Sequence, residues 1–289
     1  MVVATSFSCA KKGPQVDASG TFEATEVLVS AQTSGILQSF QVETGQLVQA
    51  NKTLGLVDTL QLFLKKQQLE ASLLALKSRF PDKALQMAAL NQQLKTAKKE
   101  LVRLQHLLKE NAIPEKSVDD LHAQILLLNE QIASGNKTLD QTTKSLQHEV
   151  RALEMQIEQV QDMISRSYLT SPIDGRILVS YAQAGELVAP GKVLFKVADL
   201  NKLKLKVYLT ADQLPRIKLG DTVDLLAEFG AKEDKAYTGT IISIADKAEF
   251  TPKTVQTKDE RANLVYAVQV SVVNDGRLKM GMYGGIVLK

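Results

Sequence analysis

The spacing of apolar residues changes along this chain, and each change marks an element. From Thr59 to Arg166 they recur every three or four positions. In the first half the seam positions are Leu62, Lys66, Leu69, Leu73, Leu76, Phe80, Lys83, Met87, Leu90, Leu94, Ala97, Leu101, Leu104, Leu108, apolar except for the two lysines, with steps of four and three in alternation. In the second half it runs from Val118 through Leu121, Ile125, Leu128, Ile132, Gly135, Leu139, Thr142, Leu146 and Val150 to Ile164, with one slip of two fours at Thr142-Leu146-Val150. Sustained heptads predict a coiled coil, and a slip predicts local unwinding of the supercoil. Between the halves, Asn111 suits a helix C-cap and Pro114 the first turn of the next helix. The arms Thr59–Glu110 and Glu115–Arg166 each hold 52 residues, about 78 Å of helix at 1.5 Å per residue. Pro81 falls inside the first arm, where a proline costs about 3 kcal/mol. In an antiparallel hairpin it faces roughly Thr142-Thr143. That predicts a joint irregularity of both arms, with two independent blemishes as the alternative.

Outside this span the pattern shortens to strands punctuated by glycine, and it repeats. Ser34–Asp58 (SGILQSFQVETGQLVQANKTLGLVD) lies over Asp174–Ala198 (DGRILVSYAQAGELVAPGKVLFKVA) without a gap. Gly35 meets Gly175, Gly45 meets Gly185, Leu47-Val48 meets Leu187-Val188, and Val57 meets Val197, always 140 positions apart. A repeat this short is one supersecondary unit that cannot bury its apolar face alone. The two copies are therefore expected to close on each other as a small β-sandwich. Further strands are expected at Leu203–Thr210, Val223–Glu228, Thr238–Ala245, Leu264–Val273 and Gly285–Leu288, with a turn or short helix over Ala211–Leu219.

Composition narrows the function classes. Aromatic residues make up 5% and tryptophan is absent, which favours long aliphatic seams over one large core. The 35 basic and 32 acidic residues nearly balance, so no nucleic-acid partner is expected. The arms differ, with ten basic and four acidic residues in the first against five and nine in the second, a bias that favours their pairing. No apolar run is long enough to cross a bilayer. His106, His122 and His148 lie on the arms without metal-ligand spacing, and no glycine turn carries a phosphate-loop lysine. Neither an enzyme, a cofactor nor a metal is expected. The single cysteine, Cys9, follows Ser8 near the start of the chain. This resembles a bacterial lipobox and makes Cys9 a candidate lipid attachment point. Ser6-Phe7 departs from the lipobox pattern, and eight preceding residues are few for a signal peptide, so a free thiol is the alternative.

A glycine-punctuated β unit split by a coiled coil resembles the HlyD-type periplasmic adaptors, or membrane fusion proteins. Ala31-Gln32-Thr33-Ser34-Gly35 resembles their entry motif into the hairpin region, and Leu169-Thr170-Ser171-Pro172-Ile173-Asp174-Gly175 their re-entry motif. A lipoyl or biotin carrier presents a modified lysine at the turn between its halves; here 108 hairpin residues replace that turn. The resemblance implies an α+β fold: a long antiparallel α-helical coiled-coil hairpin inserted in a split lipoyl-like β-sandwich, followed by a small β-barrel. The expected divisions are 1–18 (tail), 19–58 and 167–199 (β-sandwich halves), 59–166 (hairpin) and 200–289 (barrel). It also implies periplasmic location, anchoring to the inner membrane and a homo-oligomer, hexameric in the family. The implied partners are an inner-membrane transporter and a TolC-like outer-membrane channel that docks on the hairpin tip.

The barrel segments Ala248–Val270 and Arg277–Gly285, and a chain ending at Lys289, resemble members paired with ABC exporters; an RND pump is the alternative partner. The family tip carries Arg, then Leu four residues on, then Ser seven beyond. Arg103 and Leu107 match, but Pro114 stands at the third position and Ser117 comes three residues late. Ala112, Ile113 and Pro114 are expected to expose an apolar knuckle. A solvated coiled-coil flank is the alternative reading for Arg103. A substrate-binding module and a purely structural spacer remain the rival classes of function.

Overall fold

The computed structural model describes residues 16–230, 234–250 and 264–288. Cys9 and most of the 248–263 segment lie outside them. The chain divides into two compact units, Thr59–Arg166 and the residues on either side of it. In the latter unit the two repeat copies contribute β2 (Gly35–Phe40), β3 (Leu47–Val48) and β4 (Thr53–Val57), then β6 (Gly175–Ser180), β7 (Leu187–Val188) and the start of β8 (Val193–Thr210).

The copies pair reciprocally. β2 joins β7 through Gly35 opposite Val188, and β3 joins β6 through Val48 opposite Gly175, the same pairing with the copies exchanged. The hydrogen bonds repeat as well. Gly45 N donates to Ile177 O and Gly185 N to Leu37 O, both at 2.8 Å. Leu37 N donates to Glu186 O and Ile177 N to Gln46 O, both at 2.9 Å. Gly45 and Gly185 have φ of +90° and +91°, a left-handed turn that glycine adopts without steric cost. The buried core takes matched residues from both copies, including Leu37 and Ile177, Val48 and Val188, and Leu54 and Leu194.

The turns are braced alike, since Gln46 Oε1 accepts from Glu43 N at 3.0 Å and Glu186 Oε1 from Gln183 N at 3.1 Å. In the second copy a hydrogen bond from Lys192 also holds the Glu186 carboxyl below the usual carboxylate range.

A second core is built from β1 (Ala18–Ser30), the far half of β8, β9 (Thr222–Glu228), β10 (Asp234–Ile244), β12 (Leu264–Val273) and β13 (Tyr283–Val287). Along β8 the buried Leu203, Leu205, Val207 and Leu209 alternate with the exposed or half-exposed Lys202, Lys204, Lys206 and Tyr208. This is the period of two expected of a half-buried strand. The Ala211–Leu219 connection forms a short 3-10 helix, Leu214–Arg216.

Two expected divisions differ in the structure. The boundary at 199/200 falls inside β8, which runs from the sandwich into the barrel without interruption. Residues 19–24, expected with the sandwich, lie in the barrel: Ser19 pairs with Gly285, Gly20–Ala24 pair with Leu203–Val207, and Phe22 is buried in the barrel core. A register shift at Ala24/Thr25 marks the passage. Long strands shared by two cores carry no linker, so composition alone shows no boundary there.

The helical unit contains α1 (Leu60–Lys77), α2 (Lys83–Lys109) and α3 (Glu115–Arg166). The first arm breaks at Pro81, and α2 restarts with Asp82 as N-cap, its carboxylate accepting from Leu85 N at 3.0 Å. The second arm does not break, so the expected joint irregularity is absent from α3. The half-buried position is Thr143 rather than Thr142, and Lys83 is exposed. The slip lies instead at Gly135 and Asn136, both half-buried. There the Met87 side chain occupies the space above Gly135, within 3.0 Å of where a Cβ would stand.

α1 ends in a closing turn, in which Ser78 N donates to Leu74 O (3.1 Å), Arg79 N to Leu76 O (3.0 Å) and Phe80 N to Lys77 O (3.4 Å). Between the ion pairs Lys77–Glu154 (3.2 Å) and Lys83–Asp140 (3.2 Å), the first arm advances six residues and α3 fourteen.

Pro81→Ala should leave the break in place, because the turn at Ser78–Phe80 and the Asp82 cap remain, with far-UV circular dichroism showing no added helix. A gain of about one turn or more would show that proline alone makes it. In the sandwich core, Leu37→Ala and Ile177→Ala should each lower unfolding stability by about 2–5 kcal/mol, measured by denaturant titration.

Candidate functional site

The tip of the hairpin is shaped by how α2 stops. Asn111 adopts φ +57°, a left-handed conformation that asparagine tolerates better than most side chains. Asn111 N donates to Leu108 O at 2.9 Å and Ala112 N to Leu107 O at 3.0 Å. This pair of bonds is the Schellman arrangement, which satisfies carbonyls left open at a helix end. Pro114 directly precedes α3, and its carbonyl accepts from Ser117 N at 3.1 Å. Charges suit the helix dipoles: Lys109 lies in the last turn of α2, and Glu115 in the first turn of α3.

The structure gathers the expected tip residues at this end of the hairpin. Arg103 and Leu107 lie one turn apart on α2, Ala112 and Ile113 form the turn, and Ser117 lies in the first turn of α3. The Arg103 side chain is 70% exposed and pairs with Glu100 at 3.1 Å. An exposed pair of this kind is worth about 0–1 kcal/mol, so the guanidinium remains accessible. Glu100 is absent from the sequence reading, although a spacing of three on a helix was the available signal.

The knuckle is smaller than expected. Ala112 and Pro114 are exposed, but Ile113 is half-buried over the seam that the buried Val118 continues. Leu107 and Ser117 are half-buried too. The exposed surface of the tip is thus Arg103, Ala112 and Pro114, with the edges of Leu107, Ile113 and Ser117. The three histidines are exposed on the arms. Among the described residues no group of three or more His, Cys, Asp or Glu could hold a metal ion, and no helix is long and apolar enough to cross a membrane.

Residues 25–200, which contain both repeat copies and the whole hairpin, match the family described as RND MFP, barrel-sandwich hybrid domain. The chain belongs to this family. A curated relative, the UPF0194 membrane protein in the asrC 5' region of Acidithiobacillus ferridurans, is 28% identical over 189 residues. That match covers 62% of this chain and 55% of the relative, so it spans little more than half of the relative's length. Among solved structures, MacA from Actinobacillus actinomycetemcomitans is similar at 20% identity and a TM-score of 0.59, over 94% of this chain and 78% of that one. The membrane fusion protein Spr0693 from Streptococcus pneumoniae R6 is similar at 17% identity and a TM-score of 0.57, over 94% and 97%. These likenesses bear out the mixed fold of hairpin, sandwich and barrel.

Because Asn111 sustains the left-handed turn, Asn111→Ala should lower hairpin stability by about 1 kcal/mol, while Asn111→Gly holds or raises it. Thermal unfolding followed at 222 nm checks both.

Proposed function

We propose that this chain is a periplasmic adaptor subunit of a tripartite efflux or secretion system. It joins an inner-membrane transporter to a TolC-like outer-membrane channel and acts as a homo-oligomer. The observation that supports this most is the antiparallel hairpin inserted between the two halves of a barrel-sandwich hybrid. The 52-residue α3 provides about 78 Å of helix, ending in an exposed turn with no catalytic groups. A substrate-binding module does not need such an element, and a mere spacer does not need the barrel beside it. The docking surface is Arg103, Leu107, Ala112, Ile113, Pro114 and Ser117. Membership in the family makes the periplasm the natural compartment, with anchoring through an N-terminal lipid on Cys9 or a preceding segment.

The transporter is proposed to be of the ABC type, on the likeness of Arg277–Gly285 to adaptors of such exporters. An RND pump is the second reading, favoured by the description of the matched family.

A photo-crosslinker at position 103 or 112 should capture an outer-membrane channel in cells. Ala112→Asp, which buries a charge against an apolar contact, should cut that capture about ten-fold or more while retaining capture of the inner-membrane transporter. Loss of neither would exclude the tip as the docking surface, and the captured transporter distinguishes an ABC permease from an RND pump.

A further inference from the structure

A cleft of about 360 Å³ lies where the sandwich meets the barrel. Its volume falls within the range of small-molecule sites, about 300–1,000 Å³. The sandwich side contributes Leu47 and Arg176, which face each other across the β3–β6 pairing. The barrel side contributes Leu200 and Asn201 from the middle of β8, with Leu278 and Lys279 from the loop between β12 and β13. Two of these residues are cationic, and none of the described lining residues is acidic.

Both cations are placed rather than loose. Arg176 Nη1 donates to Gly45 O at 3.0 Å, and its other guanidinium nitrogens have no partner among the described residues. Lys279 Nζ donates to Gly276 O at 2.9 Å, leaving further N–H groups of the ammonium available. The wall behind them is stiff. The Asn274 side chain donates to Leu200 O (2.8 Å) and Leu278 O (3.0 Å), and accepts from Gly276 N (2.9 Å) and Leu278 N (3.1 Å). One carboxamide thus uses all four of its hydrogen-bonding positions, one to tie the loop to β8 and three to brace the loop itself.

The internal repeat provides a control. Leu187, the counterpart of Leu47, is similarly exposed, at 72% against 70%. Its cross-strand partner is Ile36, where the second copy has Arg176. The guanidinium is therefore a departure from the repeat, found only in the copy that faces the barrel loop.

We infer that this cleft binds an amphiphilic anion. The anionic head, a phosphate or carboxylate, is held by Arg176 and Lys279, with Asn201 as an additional polar contact. An apolar body lies against Leu47 and Leu200. Paired cationic donors suit such a head, since charge-assisted hydrogen bonds are about twice as strong as neutral ones. The exposed Leu47 gains burial when the apolar part is seated. The inference does not depend on the tip docking a channel.

Isothermal titration of the full chain with octyl phosphate, kept below its micelle concentration, tests this. Binding at about millimolar affinity or tighter is expected. Arg176→Gln and Lys279→Gln should each weaken it about five-fold or more, whereas Lys218→Gln, outside the cleft, should not. Inorganic phosphate and neutral octyl glucoside should both bind about ten-fold more weakly than octyl phosphate. Absence of octyl phosphate binding, or binding unchanged in both cleft variants, overturns the proposal. Equal binding of inorganic phosphate overturns the apolar part, and equal binding of octyl glucoside overturns the role of charge. Lys279→Gln keeps the test meaningful if Arg176→Gln disturbs the β3–β6 pairing, because it alters no bond inside the sandwich.

Discussion

Each half of the repeat completes the other. Ala31 N donates to Lys192 O (2.9 Å) while Gly191 N donates to Ala31 O (2.9 Å), and the mirrored pair joins Asn51 N to Ser171 O (2.7 Å) and Ser171 N to Lys52 O (3.4 Å). Neither copy has a closed set of backbone partners without the other, and buried backbone groups left unpaired are costly. Two stretches far apart in sequence must therefore meet. The intervening chain has to leave and return at one place, whatever its length.

The hairpin satisfies that demand. β4 pairs with β5 (Tyr168–Thr170) through Leu56 opposite Tyr168, and Val57 N donates to Ser167 O at 3.0 Å. The two ends of the insertion are thereby held side by side. An antiparallel pair of helices needs nothing more to begin and end together. Within it the energy comes from the aliphatic seam, and the ion pairs Lys77–Glu154 and Lys83–Asp140 add direction more than stability. At the interruption of the first arm, a hydrogen-bonded turn at Ser78–Phe80 and the Asp82 cap close the two helix ends on either side of Pro81.

The barrel is tied to the sandwich by continuity of the backbone. β1 and β8 each pass from one core into the other, so the cleft at their junction has walls set by shared strands rather than by a flexible linker. That is why a loop residue such as Lys279 can stand opposite a sandwich residue such as Arg176 in a defined arrangement. The hairpin ends in an exposed turn and the junction holds a cleft, each set by a different part of the fold.

The sequence by itself determined the local elements and the mutual closure of the repeat. Period-two and heptad patterns are properties of neighbours along the chain, and a match at a constant interval of 140 leaves little freedom in pairing. It also placed Arg103, Leu107 and Asn111 at the tip, because helix spacing and capping are local. Tertiary structure alone decided that Ile113 turns onto the seam, that Thr143 rather than Thr142 faces the partner helix, and that residues 19–24 join the barrel. It alone brought Arg176 to Lys279. These outcomes depend on which surfaces compete for burial once distant segments have met, and that competition leaves no periodic trace in the order of residues.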